Sequence, residues 1–299
     1  MIRLTWLTAW ILIAAAMPGW GRNISWFSDV GEINKDSSGA AMDARMRFEL
    51  GVFDSGFTPT LANMAQWSEK WNRCQRVSYN PVTQRYDGFF TVSSNSGPFA
   101  VGRAVYVWGF RGDALQGDWI LFRATNWTMP AVDPFNPFAL EWNVAQATAV
   151  TGEIDPDGSP HLMKSAAISG ALPPETEWAQ WVVDELSGVV ENESDDDPDG
   201  DGVSNILEYA FGTPPLVFTA PVTTPVSMVG GSLQIAVPRR KDRVMNLVVE
   251  VSGNLSSWQS GVTATEVVND GLGTLLVRDL TTLGPSAPRR FMRVRVSLP

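Results

Sequence analysis

Apolar and polar residues alternate over short runs through the first half of the chain. MRFELGVF (46–53), DGFFTVSS (87–94), AVYVWGF (104–110) and DWILFRAT (118–125) are rich in β-branched and aromatic residues, and Gly, Pro, Asn and Asp cluster around them. Such runs predict strands. One segment has a different period. In TLANMAQWSEKWNRC (60–74), Leu61, Met64, Ala65, Trp67 and Trp71 recur at helical spacing, so a helix is expected there. Regular strands with turn punctuation indicate a β-sandwich or barrel, here with one helix packed on it.

A second helical pattern follows Pro173 and Pro174. Trp178, Trp181, Val182, Leu186 and Val189 form one apolar stripe, with Glu177, Asp184 and Glu185 off it. Proline at the entrance is a usual helix start. An acidic stretch comes next, and then VSNILEYAF, a further helix closed by Gly212 and blocked by Pro214. After residue 216 the alternation returns in SLQIAVPR (232–239), MNLVVEVS (245–252), VTATEVV (262–268), GTLLVRDL (273–280) and FMRVRVSL (291–298). In the last run Met292, Val294 and Val296 face one way and Arg293 and Arg295 the other, as in a half-buried antiparallel strand.

The fold class expected from these patterns is mainly β. An N-terminal β-sandwich-like domain with one helix (22–172) and a smaller C-terminal one (216–299) are joined by a helix–acidic loop–helix connector (173–215). A length of 299 residues and a composition 44% hydrophobic give enough apolar mass for two cores. Residues 1–21 are set apart from this fold. Arg3 precedes an uncharged run of 14 residues from Leu4 to Met17, with small residues suited to cleavage after Ala16 or Gly21. Such a run is too short for a hydrocarbon core of about 30 Å and suits a signal peptide. Secretion to the extracellular space or cell surface is therefore expected, with the periplasm as the alternative and no stable membrane span after cleavage. Cys74 is the only cysteine, so no intramolecular disulfide can form.

The net charge of −10 is unevenly distributed. Residues 175–208 hold twelve acids and no base, which leaves the rest of the chain slightly positive. A localised acidic block argues against nucleic acid and for a cation. Its densest part, DDDPDGDGVSNILE, fits the spacing D-x-[DN]-x-[DN]-G-x5-E when position 1 is Asp197. Asp199 and Asp201 then occupy positions 3 and 5, and Gly202 takes the sharp turn at 6. Val203 offers a carbonyl at 7, Asn205 stands at 9 and Glu208 closes the set at 12. Starting at Asp195 instead puts Ile206 at position 12, where it has nothing to donate. An all-oxygen set suits calcium, and zinc would ask for His or Cys. Ca2+ is thus the expected cofactor and partner.

DPDGDGVSNILEYAFG resembles the calcium loops of bacterial thrombospondin type-3-like repeats and, more distantly, of dockerins and EF-hands. It is also similar to a motif that joins N-terminal β domains to a C-terminal β module in secreted bacterial proteins with no assigned activity. VEVSGNLSSW (249–258), RRFMRVRV (289–296) and the FELGVFDSGFTPT segment share that likeness. The resemblance implies a calcium-stiffened connector. Two departures from an EF-hand, Ser204 at position 8 and the lack of a second loop in the sequence, imply a fixed structural site.

Catalytic signatures are missing from the sequence. It contains no G-x-S-x-G, no H-E-x-x-H, no phosphate-cradling glycine loop and a single histidine, His161. A non-enzymatic protein for surface attachment or assembly is the first expectation. The alternative is a carbohydrate-binding or glycan-degrading protein with its site on the N-terminal β domain. For a cell-surface or glycan ligand, Trp127 and Trp142 flank the loop TMPAVDPFNPFALE and are the better candidates, with core or loop packing the preferred reading for them too, while Trp108 and Trp119 read as core. Cys74, beside Arg73 and Arg76, is either a buried inert thiol or one of lowered pKa.

Overall fold

The computed structural model describes residues 21–299 apart from Gln116 and Pro221. The expected signal peptide lies outside the described residues except for Gly21. The chain is mainly β, 38% strand against 11% helix, in several sheets that do not close into a barrel. In chain order the first strands are β1 (Arg22–Phe27), β2 (Asn34–Lys35), β3 (Met46–Phe53), β4 (Trp71–Ser78), β5 (Asp87–Val92) and β6 (Val105–Arg111). They continue with β7 (Gly117–Arg123), β8 (Leu140–Asn143), β9 (Thr148–Thr151), β10 (Glu153–Ile154), β11 (Met163–Lys164) and β12 (Ala166–Ile168). Helix α1 (Trp67–Lys70) precedes β4, and α2 (Trp178–Glu185) and α3 (Asn205–Phe211) flank the acidic loop. Strands β13 (Val226–Val229), β14 (Ser232–Pro238), β15 (Asn246–Ser252), β16 (Thr265–Asp270), β17 (Thr274–Asp279) and β18 (Phe291–Ser297) complete the chain.

The largest sheet runs β12-β7-β6-β3-β4, with β9 also on β7, and all its pairs are antiparallel. All eight residues of β3 are buried, because both faces of the sheet are covered. Alternation along β3 sends Phe48, Leu50 and Val52 into one core, shared with Ile24 and Trp26 of the β5-β1-β8 sheet. On the opposite face Phe53, Trp108, Phe110 and Trp119 pack around Trp67. Each layer thus has its own aromatic core.

The helix expected over residues 60–74 is a correction. A 3-10 turn (Leu61–Gln66) leads into the single turn of α1, and Trp71 opens strand β4. Trp67 and Trp71 recur four apart because both reach Trp108, each with ring centroids 5.6 Å from it, one from the turn and one from the strand. Pairing of β4 along the length of β3 outweighs the helical spacing. A bulge between Leu50 and Gly51 breaks the alternation of β4, which hides it from periodicity.

The stripe expected on the second helix turns inward, although the helix starts only at Trp178, four residues past Pro174, and ends before Leu186 and Val189. Trp181 and Leu186 form a cluster with Tyr209 of α3, and Trp178, Val182 and Val189 pack against it. Downstream, the β13-β14-β17-β16 sheet and the β15-β18 pair enclose Ile235, Val237, Val249, Leu275 and Val277. Five buried side chains make a small core. Phe211 of α3, Met292 and Val294 extend it.

Between β3, β4 and α2 lies a buried polar seam. Glu49, fully buried, accepts from Arg76 Nε at 2.7 Å, Arg73 at 3.3 Å and Trp71 Nε1 at 2.6 Å. Arg76 also meets Asp184 of α2 at 2.8 Å, and Arg47 meets Glu185 at 3.2 Å. Two strands of the large sheet therefore hold α2 by charge. Arg76→Met should lower stability by about 3–5 kcal/mol, because it strands a buried carboxylate. Adding Glu49→Gln to that variant should restore part of the loss; thermal unfolding of the two variants and the parent measures both steps.

Candidate metal centre

The acidic loop is shaped first by its own backbone. Asp197 accepts the N–H groups of Gly200 at 3.0 Å and Gly202 at 2.9 Å. Asp199 accepts from the N–H of Asp201 at 3.1 Å, and Asp201 from that of Val203 at 2.8 Å. Such side-chain-to-backbone turns curl the chain tightly. Gly202 takes φ 88°, which a side chain would resist. As a result one carboxylate oxygen from each of Asp197, Asp199 and Asp201 lies within 4.8 Å of the other two.

Helix α3 carries the fourth carboxylate, Glu208, which is not a member of the group of converging oxygens formed by the three aspartates. The helix starts at Asn205, whose amide donates to the carbonyls of Glu191 at 3.2 Å and Glu193 at 2.8 Å. The side chain is thus fixed by its nitrogen, and its Oδ1 is buried without a partner. One turn later Glu208 is 0% exposed; neither of its oxygens completes a hydrogen bond, and the Thr213 hydroxyl close to it is likewise buried without a partner. The helix ends at Gly212, whose left-handed φ of 83° and N–H bond to the Glu208 carbonyl (2.7 Å) match the cap read from the sequence.

The electrostatics of this arrangement are unfavourable by themselves. Burial, reinforced by the charges of Asp199, Asp201 and Asp197, pushes the Glu208 carboxyl up to about 8. Burial also raises Asp199, with Asp201 and Asp197 adding to it. Asp201 moves the other way, lowered by the Val203 N–H and then by Thr219. Two carboxylates 4 Å apart repel by about 1 kcal/mol in water and about 4 kcal/mol near a protein surface. Four buried oxygens without partners (Asp199 Oδ2, Asn205 Oδ1 and both oxygens of Glu208) belong to residues at positions 3, 9 and 12 of the loop. A hard cation with oxygen ligands fits that donor set. Val203 at position 7 is buried and donates its N–H to Asp201.

Thr219 was not foreseen. Its N–H and hydroxyl both donate to the second oxygen of Asp201, at 3.2 and 2.9 Å. It lies 18 residues downstream, beyond the reach of any local spacing.

The other sequence candidates lie elsewhere. Trp127 and Trp142, weighed above as ligand platforms, stack on each other at 5.6 Å inside the first core, both under 5% exposed, and offer no face to solvent. Packing against apolar neighbours won over exposure. His161 is nearly buried and lies 3.3 Å from Glu153. Cys74 sits on β4 rather than at a helix end, where burial, with Glu49 adding, pushes its thiol up to about 12. It is the inert alternative. At about pH 8, alkylation of native Cys74 should be on the order of a hundredfold slower than in the denaturant-unfolded chain; a quenched iodoacetamide time course gives the ratio.

In comparisons with family models, curated proteins and solved structures, nothing matches this chain.

Proposed function

We propose that this chain is a secreted, non-catalytic calcium-binding protein in which Ca2+ fixes the connector between an N-terminal and a C-terminal β module, an arrangement suited to surface attachment or assembly. The observation that carries the reading is Glu208, a fully buried carboxylate with no completed hydrogen bond on either oxygen, only the Thr213 hydroxyl close by, and three aspartates acting on it. Asp197, Asp199, Asp201, Asn205 and Glu208 would hold the ion through side chains and Val203 through its carbonyl. The ion supplies the positive charge that offsets their repulsion.

The residues around Glu208 make its position matter. Tyr209 donates its hydroxyl to the Thr176 carbonyl at 2.7 Å and accepts the Val244 N–H at 2.9 Å. The Ala210 carbonyl accepts the Arg240 N–H at 2.7 Å, and Phe211 packs into the C-terminal core. A cation that holds Glu208 therefore holds both neighbours of the helix. Affinity in the range of extracellular modules, on the order of 10⁻⁴–10⁻³ M, suits a single unpaired loop.

Calorimetric titration should give one calcium site per chain. At calcium about a hundredfold above its Kd the fold gains about 2.7 kcal/mol, visible as a rise in Tm. Chelation should speed proteolysis between residues 190 and 205; equal cleavage with and without chelator would sink the reading.

Glu208→Gln separates the ion from the fold. It should abolish the calcium-dependent gain in Tm while making the metal-free protein more stable near pH 8, since no buried charge remains. The sign follows from a carboxyl whose usual value of 4.5 is raised in the fold to about 8. Its favourable contribution is complete below 4.5 and is lost as pH rises through 8. Metal-free wild type should accordingly weaken across that window, and saturating calcium should flatten the profile. Thermal melts at several pH values, with calcium and with chelator, measure all four curves.

A further inference from the structure

Away from the acidic loop, a concavity of about 270 Å³ opens between the end of β3 and the loop that leads into β6. Phe53, Phe57, Thr58, Arg103, Tyr106 and Arg123 contribute to its lining, and no Asp or Glu does. Several arginines of the protein meet carboxylates, whereas Arg103, Arg123 and also Arg243 form no ion pair among the described residues. Arg76 meets Glu49 and Asp184, Arg240 meets Asp242, and Arg290 meets Asp279.

Arg103 and Arg123 are held by neutral groups instead. Arg103 donates to the Phe53 carbonyl at the end of β3, and its Nε is buried with no partner. Arg123 donates to the carbonyls of Ala124 at 3.2 Å and Thr125 at 3.0 Å, with its guanidinium 5.3 Å from the centre of the Tyr106 ring. Neither forms an ion pair among the described residues. A carbonyl fixes a guanidinium in place but leaves its charge uncompensated, so two positive charges share one small concavity. Guanidinium forks match the planar oxygens of carboxylates and the oxygens of sulfate. Half-buried Phe57 presents an apolar surface, and Tyr106 and Thr58 bring hydroxyls.

We infer that this concavity binds the acidic group of a saccharide, a carboxylate or sulfate engaged by Arg103 and Arg123 with the sugar ring against Phe57. The size of the space admits one ring and not an extended chain, and apolar surface beside a few convergent polar groups is the usual make-up of a small-ligand site. The net charge of −10 disfavours a long polyanion such as nucleic acid, which would meet the acidic connector as well. None of the residues around the concavity belongs to the acidic loop, so binding here is independent of calcium.

The test is titration calorimetry on the full chain with four probes. These are galacturonate, galactose 6-sulfate, neutral galactose and a short glutamate-rich peptide. One of the acidic saccharides should bind at least about tenfold more tightly than the neutral one, and which of them does identifies the anion. Arg123→Gln should lose about tenfold in affinity with an unchanged Tm, and Phe57→Ala should weaken binding of the same probe. Arg103→Gln also removes a tie to β3, so Arg123→Gln and Phe57→Ala are the deciding variants. No binding by either acidic saccharide, equal binding of the neutral one, tighter binding of the peptide, or full affinity in Arg123→Gln each overturns the inference.

Discussion

A carboxylate placed inside a protein among other carboxylates must lose its charge, find a cation or move. Glu208 cannot move, because the residues that follow it on α3 are committed elsewhere. Tyr209 is hydrogen-bonded to Thr176 and Val244, Phe211 is packed in the C-terminal core, and Gly212 closes the helix. The helix is only seven residues long, so little of it is free of a constraint. Isolated helices of that length have marginal stability, and this one is held by what it touches. The proposed ion therefore acts on a helix whose other contacts already run in two directions. A change at one carboxylate would thus be felt directly by the strands after α3 and, through Thr176 and its partner Arg76, by the large sheet.

The seam between the large sheet and α2 works by a different rule. There the charges are matched: Glu49 against Arg76 and Arg73, Asp184 against Arg76, Glu185 against Arg47. A buried ion pair seldom adds much stability over well-packed apolar residues, but breaking one is costly. Its effect here is positional. Trp181 and Leu186 could slide along a neighbouring apolar surface at small cost, whereas Asp184, besides its bond from Gln180 on the same helix, meets its cations at Arg76 and Arg47. The seam thus fixes where α2 sits, and with it the start of the acidic loop. On the far side Arg240 donates to the Gly112 carbonyl at 3.2 Å, so the C-terminal module is tied to the β6–β7 turn as well.

Much of this was legible in the sequence where the signal is periodic or closely spaced. Strands β6 and β7 announce themselves as continuous apolar runs, since both faces of their sheet are covered, and β3 and β18 by an apolar residue at every second position. The loop could be read because its donors lie within twelve residues. Strands of two to four residues such as β2, β10 and β12 are too short to show a period, and β4 was hidden by its bulge and by charges turned inward. Arg47, Glu49 and Arg76 look like surface residues in a half-buried strand. Only the packing of α2 over that face makes them interior. Trp127 and Trp142, for which packing is the preferred reading and a ligand platform the alternative, stack on each other in the first core.

The two candidate sites keep charge available in opposite ways. In the acidic loop, backbone N–H groups occupy some carboxylate oxygens and orient the rest, leaving buried oxygens with nothing to accept. Around Arg103 and Arg123, backbone carbonyls do the same for guanidinium nitrogens. In both cases the main chain supplies neutral partners that fix direction without cancelling charge. A carboxylate beside Arg123, or a lysine beside Glu208, would stabilise the free protein more and leave nothing to attract a ligand. The seam on α2 shows that this chain pairs buried charges where it needs rigidity. Where it leaves them unpaired, the unfavourable energy remains in the free protein, which is what both proposals rest on.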